Sequence, residues 1–304
     1  MNSLDPVVLI IIFSSTIIIS YFFNLYSKKS GVPSVLMLIF TGMLINFGFF
    51  ISEMESPNLF SVLKILGVVG LALIVLEAAL DLKLVKEKAG LIFKSLATAV
   101  LGLFATSYIG ALVLTNVFEM NMIEALLFTV PLSILSSAII LPSLGSLDDY
   151  KKEFMIYEST FSDILGIVLF YSLLSFLGPD SKSENYGEVF GNLMFTITFS
   201  IIASYILIYL FQNIKGHDKL FLLISILLLL YAVGKLFHLS SLIIILIFGM
   251  ILNNYRLFFA SGLSKLIEEN KVESILADFK IVTGESAFVV RTFFFIIFGW
   301  SVSV

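Results

Sequence analysis

The sequence contains no cysteine, and that one absence removes disulfide frameworks and thiolate metal sites together. Histidine is nearly as scarce. His217 and His238 are the only two, both in expected loops, and they leave no imidazole cluster for a metal. Charged residues make up only 13% of the chain, and no stretch is basic and aromatic enough to suit a nucleic acid. No Ser/Lys, Ser/His or metal-ligand set converges in the pattern, so nothing points to an enzyme. A basic segment ahead of the first apolar run is missing too. Asp5 stands there instead, so the N-terminus reads as a first transmembrane helix and not as a cleaved signal.

What fills the 304 residues is apolar: 59% are hydrophobic and the mean hydropathy is +1.07. That is the composition of an all-α polytopic protein dissolved in a lipid bilayer. A crossing needs about 20 apolar residues. On that rule spans fall near 6–26, 31–51, 61–81, 92–118, 122–144, 154–177, 189–211, 219–236, 239–254 and 286–304. Residues 256–284 carry too much charge to span. There Val272, Ile275, Leu276 and Phe279 form a helical apolar stripe, which predicts an interfacial amphipathic helix.

The basic residues orient these spans. With the N-terminus outside, fourteen of them, from Lys28 and Lys29 through Lys151 and Lys152 to Lys280, fall on the inner side, against Lys64, Lys182 and Lys235 outside. An inner excess of that size fixes the orientation and supports the span count. Span two contains Leu38-Ile39-Phe40-Thr41-Gly42-Met43-Leu44-Ile45-Asn46, and span nine contains Leu246-Ile247-Phe248-Gly249-Met250-Ile251-Leu252-Asn253. The two words match with a one-residue gap and cross in opposite directions, as in an inverted-topology repeat. If spans one to six form the first repeat and span seven links, the second repeat is cut after its third helix at Val304. About ten of thirteen expected helices are then present in one incomplete transmembrane domain over residues 1–304.

The chemistry concentrates in Tyr157-Glu158-Ser159-Thr160-Phe161-Ser162-Asp163-Ile164-Leu165-Gly166. At helical spacing Ser159, Ser162, Asp163 and Gly166 share one stripe, with Glu158 on its flank. An ionised Asp near mid-membrane costs about 2.5–3.5 kcal/mol on insertion scales, so it persists where it faces a cavity, a partner or a transported ion. The alternative is an inert, hydrogen-bonded structural carboxylate. A carboxyl in an apolar cavity holds either a proton or a cation, and that competition is sufficient chemistry for exchange.

Span five places Pro131 and Pro142 on either side of Ser136 and Ser137. Each proline removes a backbone hydrogen bond, and an unwound helix offers carbonyl and hydroxyl oxygens to a dehydrated monovalent cation. An ordinary proline kink, with the serines bonded back to the helix, is the alternative. Glu77 sits one turn deeper than Asp81 at the end of span three, either as part of the site or as a carboxylate paired near the inner surface. Arg291 at the start of span ten reads as snorkelling.

These residues resemble the monovalent cation–proton antiporter superfamily over nearly the whole chain. The most specific part is Glu158-Ser159-x-x-Ser162-Asp163, which is similar to the Glu-Ser-x-x-Asn-Asp motif of electroneutral sodium/proton exchangers. Ser162 stands where the family usually has Asn, Ser136-Ser137-Ala138 falls where many members have Thr-Asp-Pro, and Ala79 replaces a Gly after Glu77. The resemblance implies that Asp163 binds cation and proton in turn, with Ser159, Ser162, Ser136, Ser137 and Glu77 around it. It implies that Glu158 takes a structural ion pair with an Arg in a helix beyond span ten. It further implies a sodium/proton-antiporter-like inverted-repeat fold and electroneutral exchange of Na+ or K+ for H+ by alternating access. The implied partners are the transported ions, the bilayer of a bacterial plasma membrane and a second copy of the chain, with no cofactor. An ion channel is the first alternative, although the polar groups cluster in spans three, five and six without rings of charge. A non-transporting membrane sensor or degenerate fragment is the second.

Overall fold

The computed structural model describes residues 6–52, 59–136, 140, 144, 147–175, 186–213, 219–236, 239, 241–259 and 267–302. Among them the secondary structure is helical throughout. The helices are α1 Pro6–Ser30, α2 Ser34–Ile51, α3 Phe60–Asp81, α4 Ala89–Phe118 after a 3₁₀ turn at Lys86–Lys88, and α5 Met122–Ser133. They continue with α6 Asp149–Ser175, α7 Tyr186–Asn213, α8 Lys219–Leu236, α9 Ser241–Asn253, α10 Tyr255–Phe258 and α11 Glu269–Ser301. Seven described helices are long and apolar enough to cross a bilayer, and α5, α8 and α9 supply three shorter apolar segments. The polytopic all-helical expectation holds.

Span five, placed over 122–144 and read either as unwound between its prolines or as kinked, stops being helical at Ser133, as the unwound reading expects. One expectation needs correction. The interfacial helix expected over 256–284 and the span expected over 286–304 are largely one helix, α11, with only the single turn α10 set apart. No proline lies between Glu269 and Ser301, and the glycines at positions 284 and 299 do not break a helix held on its inner face. Val272, Ile275 and Phe279 of the expected stripe are buried, and Leu276 is half-buried.

The chain divides into two compact units, residues 1–74 with 283–304, and residues 75–282. In the first unit, Gly42 of α2 meets the backbone of Ile296 on α11, and Gly299 of α11 meets the backbone of Ile39 on α2. Neither glycine has room for a Cβ, so the two helix backbones touch, as small residues allow in membranes. Phe49 packs edge-on against Trp300 with ring centroids 4.8 Å apart, and Phe13 stacks on Phe293 at 4.6 Å. A buried hydrogen bond of 2.6 Å joins Ser20 Oγ and Thr292 Oγ1.

In the second unit, α4 presents Leu91, Ser95, Ala99, Leu103, Ser107 and Ala111 at intervals of four, a buried stripe of small and apolar residues. Against it pack α5 and α6. Glu119, in the left-handed region at φ 53°, ends α4, and Asn121 caps α5 by accepting from the Ile123 N–H at 3.1 Å. The short helix α9 is buried on nearly every face, against α7 and α8, which explains an apolar helix too short to cross a bilayer. Its Gly249 lies against Ala79 and Leu76 of α3. The glycine of the repeated word therefore does the same work in both places, as Gly42 in α2 and Gly249 in α9: each lets a neighbouring helix approach.

Candidate functional site

The site is built where α5 breaks against the middle of α6. Pro131 lies near the end of α5 and cannot donate a backbone hydrogen bond, and Ile134, just past the last helical residue, is extended at φ −71°, ψ 126°. The break strands the N–H of Leu135, which a continuous helix would have bonded to residue 131. Ser162 of α6 takes it: its Oγ accepts from Leu135 N at 2.9 Å. On the next turn of α6, Gly166 leaves the space that the Ile134 side chain fills, and a Cβ there would collide with it. The two residues of the motif stripe thus hold the unwound segment, one by a hydrogen bond and one by absence of bulk. Beyond the break, the Ser136 carbonyl accepts from Ile140 N at 3.1 Å.

The helices that carry the break are fixed by polar contacts at both ends. Thr129 Oγ1 of α5 donates to the Ser107 carbonyl of α4 at 2.9 Å, and Ser95 Oγ of α4 donates to the Phe154 carbonyl of α6 at 3.2 Å. Around Phe161 of α6, the side chains of Leu82, Ala99, Leu96 and Met250 close an apolar cluster. That cluster turns the opposite, polar stripe of α6 toward α5.

Asp163 is half-buried next to Ser162, fourteen residues into α6. That is about 21 Å along a helix of about 40 Å, near its midpoint. Ser159 is fully buried and donates to the Ile156 carbonyl at 3.2 Å. Glu158 is only 7% exposed, lies within electrostatic range of Asp163, and its Oε2 has no hydrogen-bond partner among the described residues. A buried carboxylate oxygen left in that state is costly.

Ser159, Ser162, Asp163 and Gly166 thus share one side of α6, where Ser162 and Gly166 meet the first residues past the end of α5. Ser136 is half-buried two residues past Ile134. Glu77 stands on a separate helix, half-buried one turn before Asp81 in α3. Ser137, Pro142, His217 and His238 lie outside the described residues. Among the described residues no three histidine, aspartate or glutamate side chains converge in a way that could hold a resident metal ion.

Sequence reasoning placed Ser162 beside the ion and missed that it caps α5. The signal was available: a proline in one helix leaves a free N–H that a hydroxyl at mid-depth in a neighbouring helix can satisfy. Asn254 was missed as well. Its side-chain amide pairs with the non-helical segment after α3, accepting from Leu84 N at 2.6 Å and donating to the Leu82 carbonyl at 2.8 Å.

The model of a family described as "Sodium/hydrogen exchanger, transmembrane" matches residues 12–304. Two solved structures of the sodium proton antiporter MjNhaP1 from Methanocaldococcus jannaschii have a similar fold. One, from electron microscopy, is 17% identical, covers 99% of this chain and 71% of its own, and superposes with a TM-score of 0.68. The other, at pH 8, is 17% identical, covers 97% and 70%, and has a TM-score of 0.71. At that identity the likeness is one of fold. Among curated proteins none matches the sequence.

Proposed function

The chain belongs to the sodium/hydrogen exchanger family, and from that premise we propose that it exchanges a monovalent cation, Na+ or K+, for H+, with Asp163 as the shared site. The observation that supports this most directly is the position of that carboxylate. It lies half-buried at the midpoint of α6, beside the one hydroxyl that holds the unwound end of α5. A dehydrated monovalent cation wants several oxygen ligands. Asp163 supplies the charge. In this reading Ser159, the remaining lone pair of Ser162, and Ser136, Ser137 and Glu77 supply the further oxygens. One lone pair of the Ser162 hydroxyl is taken by Leu135, so its first duty is to keep the unwound segment in place.

Exchange then follows from competition. The cation expels the proton from Asp163, and the proton expels the cation, with no covalent step and no cofactor; the gradient of one ion drives the other. Each direction of travel carries one positive charge on one carboxylate, so the cycle is electroneutral. In this reading the multi-pass chain lies in a bacterial plasma membrane with its N-terminus outside, and works by alternating access as a homodimer. Glu158, buried with an unpaired oxygen, is the seat of a structural ion pair with a cationic side chain.

The test is exchange measured in proteoliposomes with the full-length protein. Asp163→Asn should abolish cation-driven proton movement while the protein folds normally, and wild-type exchange should not respond to an imposed voltage. Retained exchange in Asp163→Asn refutes the site; clear voltage dependence refutes the single-carboxylate cycle.

A further inference from the structure

A half-buried carboxylate at mid-helix needs a route to water, and one face of α6 leads to it. A cavity of about 130 Å³ is lined by Asp81, Lys83, Glu153, Ile156, Tyr157 and Thr160. Its α6 residues, at positions 153, 156, 157 and 160, form a single helical stripe whose next members are Asp163 and Ile164. From Thr160 to Asp163 the rise is about 4.5 Å. Thr160 is the last α6 residue of the lining; Asp163, which does not itself line the cavity, follows one turn later on the edge of the same face.

Across the mouth runs one hydrogen bond. Tyr157 Oη donates to the backbone carbonyl of Lys83 at 2.8 Å. Lys83 belongs to the stretch between α3 and the 3₁₀ turn, which has left the helix and cannot satisfy its own backbone groups. On its other side this stretch is held by the Asn254 amide at Leu82 and Leu84. An ion pair between Lys88 and Glu153 lies at the rim, both side chains a little under half exposed. The stretch is thus anchored by Asn254, and the tyrosine bond can open without unfolding it: the Lys83 carbonyl would pass to water.

We propose that Tyr157 gates access to Asp163 from the lysine-rich face, its hydroxyl bond to the Lys83 carbonyl closing the cavity that leads there. This rests on Asp163 being the exchange site. Tyr157 touches no transported ion in this scheme. It sets how often the path is open, so it acts on turnover more than on the apparent affinity for the cation.

The natural chain has no cysteine, so a single Thr160→Cys in the full-length protein reports access to the cavity floor. Its rate of modification by a small charged methanethiosulfonate reagent, added on the lysine-rich side of membrane vesicles, is the readout. Adding Tyr157→Phe, which keeps the ring and removes the hydroxyl, should raise that rate roughly three- to ten-fold, the population shift expected for one lost hydrogen bond. Adding Glu153→Gln, which weakens only the partly exposed ion pair and leaves the Tyr157 bond intact, should change it by less than about two-fold. Hydrogen exchange of the amides of residues 82–88, faster in Tyr157→Phe, gives the same answer without the cysteine. Unchanged labelling and unchanged amide exchange overturn the gate, as does a Glu153→Gln effect equal to that of Tyr157→Phe. Neither readout uses transport, so a failed gate with exchange still abolished by Asp163→Asn leaves the exchange site standing.

Discussion

In the first compact unit, α2 and the end of α11 meet through Gly42 and Gly299, and the buried hydroxyls of Ser20 and Thr292 satisfy each other at 2.6 Å. In the second, Gly166 receives a side chain from a broken helix, Ser162 bonds to a stranded backbone N–H, and Glu158 ends buried with an unpaired oxygen. Among the described buried side chains, Glu158 and Asn253 in the second unit and Thr283 in the first hold a polar atom without a partner, and of these Glu158 lies beside Asp163. Unused buried polar capacity is destabilising, and proteins keep it mainly where it serves a ligand or a moving part. On the proposed reading, the capacity left beside Asp163 serves an ion, while the glycine crossing of the first unit serves packing alone.

The sharpest way to break that contrast is to add bulk to both glycines. At Gly42 a side chain meets the backbone of Ile296, which cannot step aside without separating two helices. Gly42→Ala should cost about 3 kcal/mol of stability, at the upper end for overpacking. At Gly166 the obstacle is the Ile134 side chain, which can change rotamer, so Gly166→Ala should cost closer to about 1 kcal/mol. Thermal unfolding in detergent checks both. Equal losses would mean that the region around the break is packed as tightly as the glycine crossing, and the contrast would fail.

A second substitution tests the cap. Ser162→Ala leaves the Leu135 N–H buried without an acceptor, a loss of about 1–3 kcal/mol. Ser162→Asn, which supplies an amide oxygen at the same position, should recover much of it. If exchange falls in Ser162→Ala and returns in Ser162→Asn, positioning of the unwound segment is the duty of this side chain. If exchange is indifferent to both, neither the cap nor a Ser162 ligand takes part.

How much of this could be read from the residues alone depends on the range of the interaction concerned. Periodicity and span length are local, and they located nearly every helix: α8 was expected over 219–236 and runs Lys219–Leu236. The Glu158-to-Asp163 stretch was legible because charge is so rare in an apolar helix. The end of α5 at Ser133 was half-legible, since Pro131 marks a weakness but does not say which turn gives way. The continuity of α11 was not legible from charge counting: charged residues at 269–285 argue against a span, and burial of Val272, Ile275 and Phe279 carries the helix through regardless. Least legible were the pairings between distant residues, Ser162 with Leu135, Tyr157 with Lys83 and Asn254 with Leu84, because a hydroxyl or amide at mid-helix has many candidate partners until the fold chooses one.

The smallest expected effect lies at the lysine-rich end of α6, away from the proposed ion site. Asp148 accepts from the Lys151 backbone N–H at 2.9 Å and pairs with its Nζ at 2.8 Å, and these bonds hold its carboxyl below the usual aspartate range. A carboxyl depressed by folding contributes stability that is complete above the unfolded value of about 4 and fades as pH falls through the lower folded value. Asp148→Asn keeps an oxygen to cap the helix and removes the titration. Unfolding temperatures of the two proteins should therefore differ slightly above about pH 4 and converge below it, while the pH dependence of exchange stays the same. A shifted exchange profile in Asp148→Asn would place this surface carboxylate on the ion path, and the separation between the solvated end of α6 and its buried middle would no longer hold.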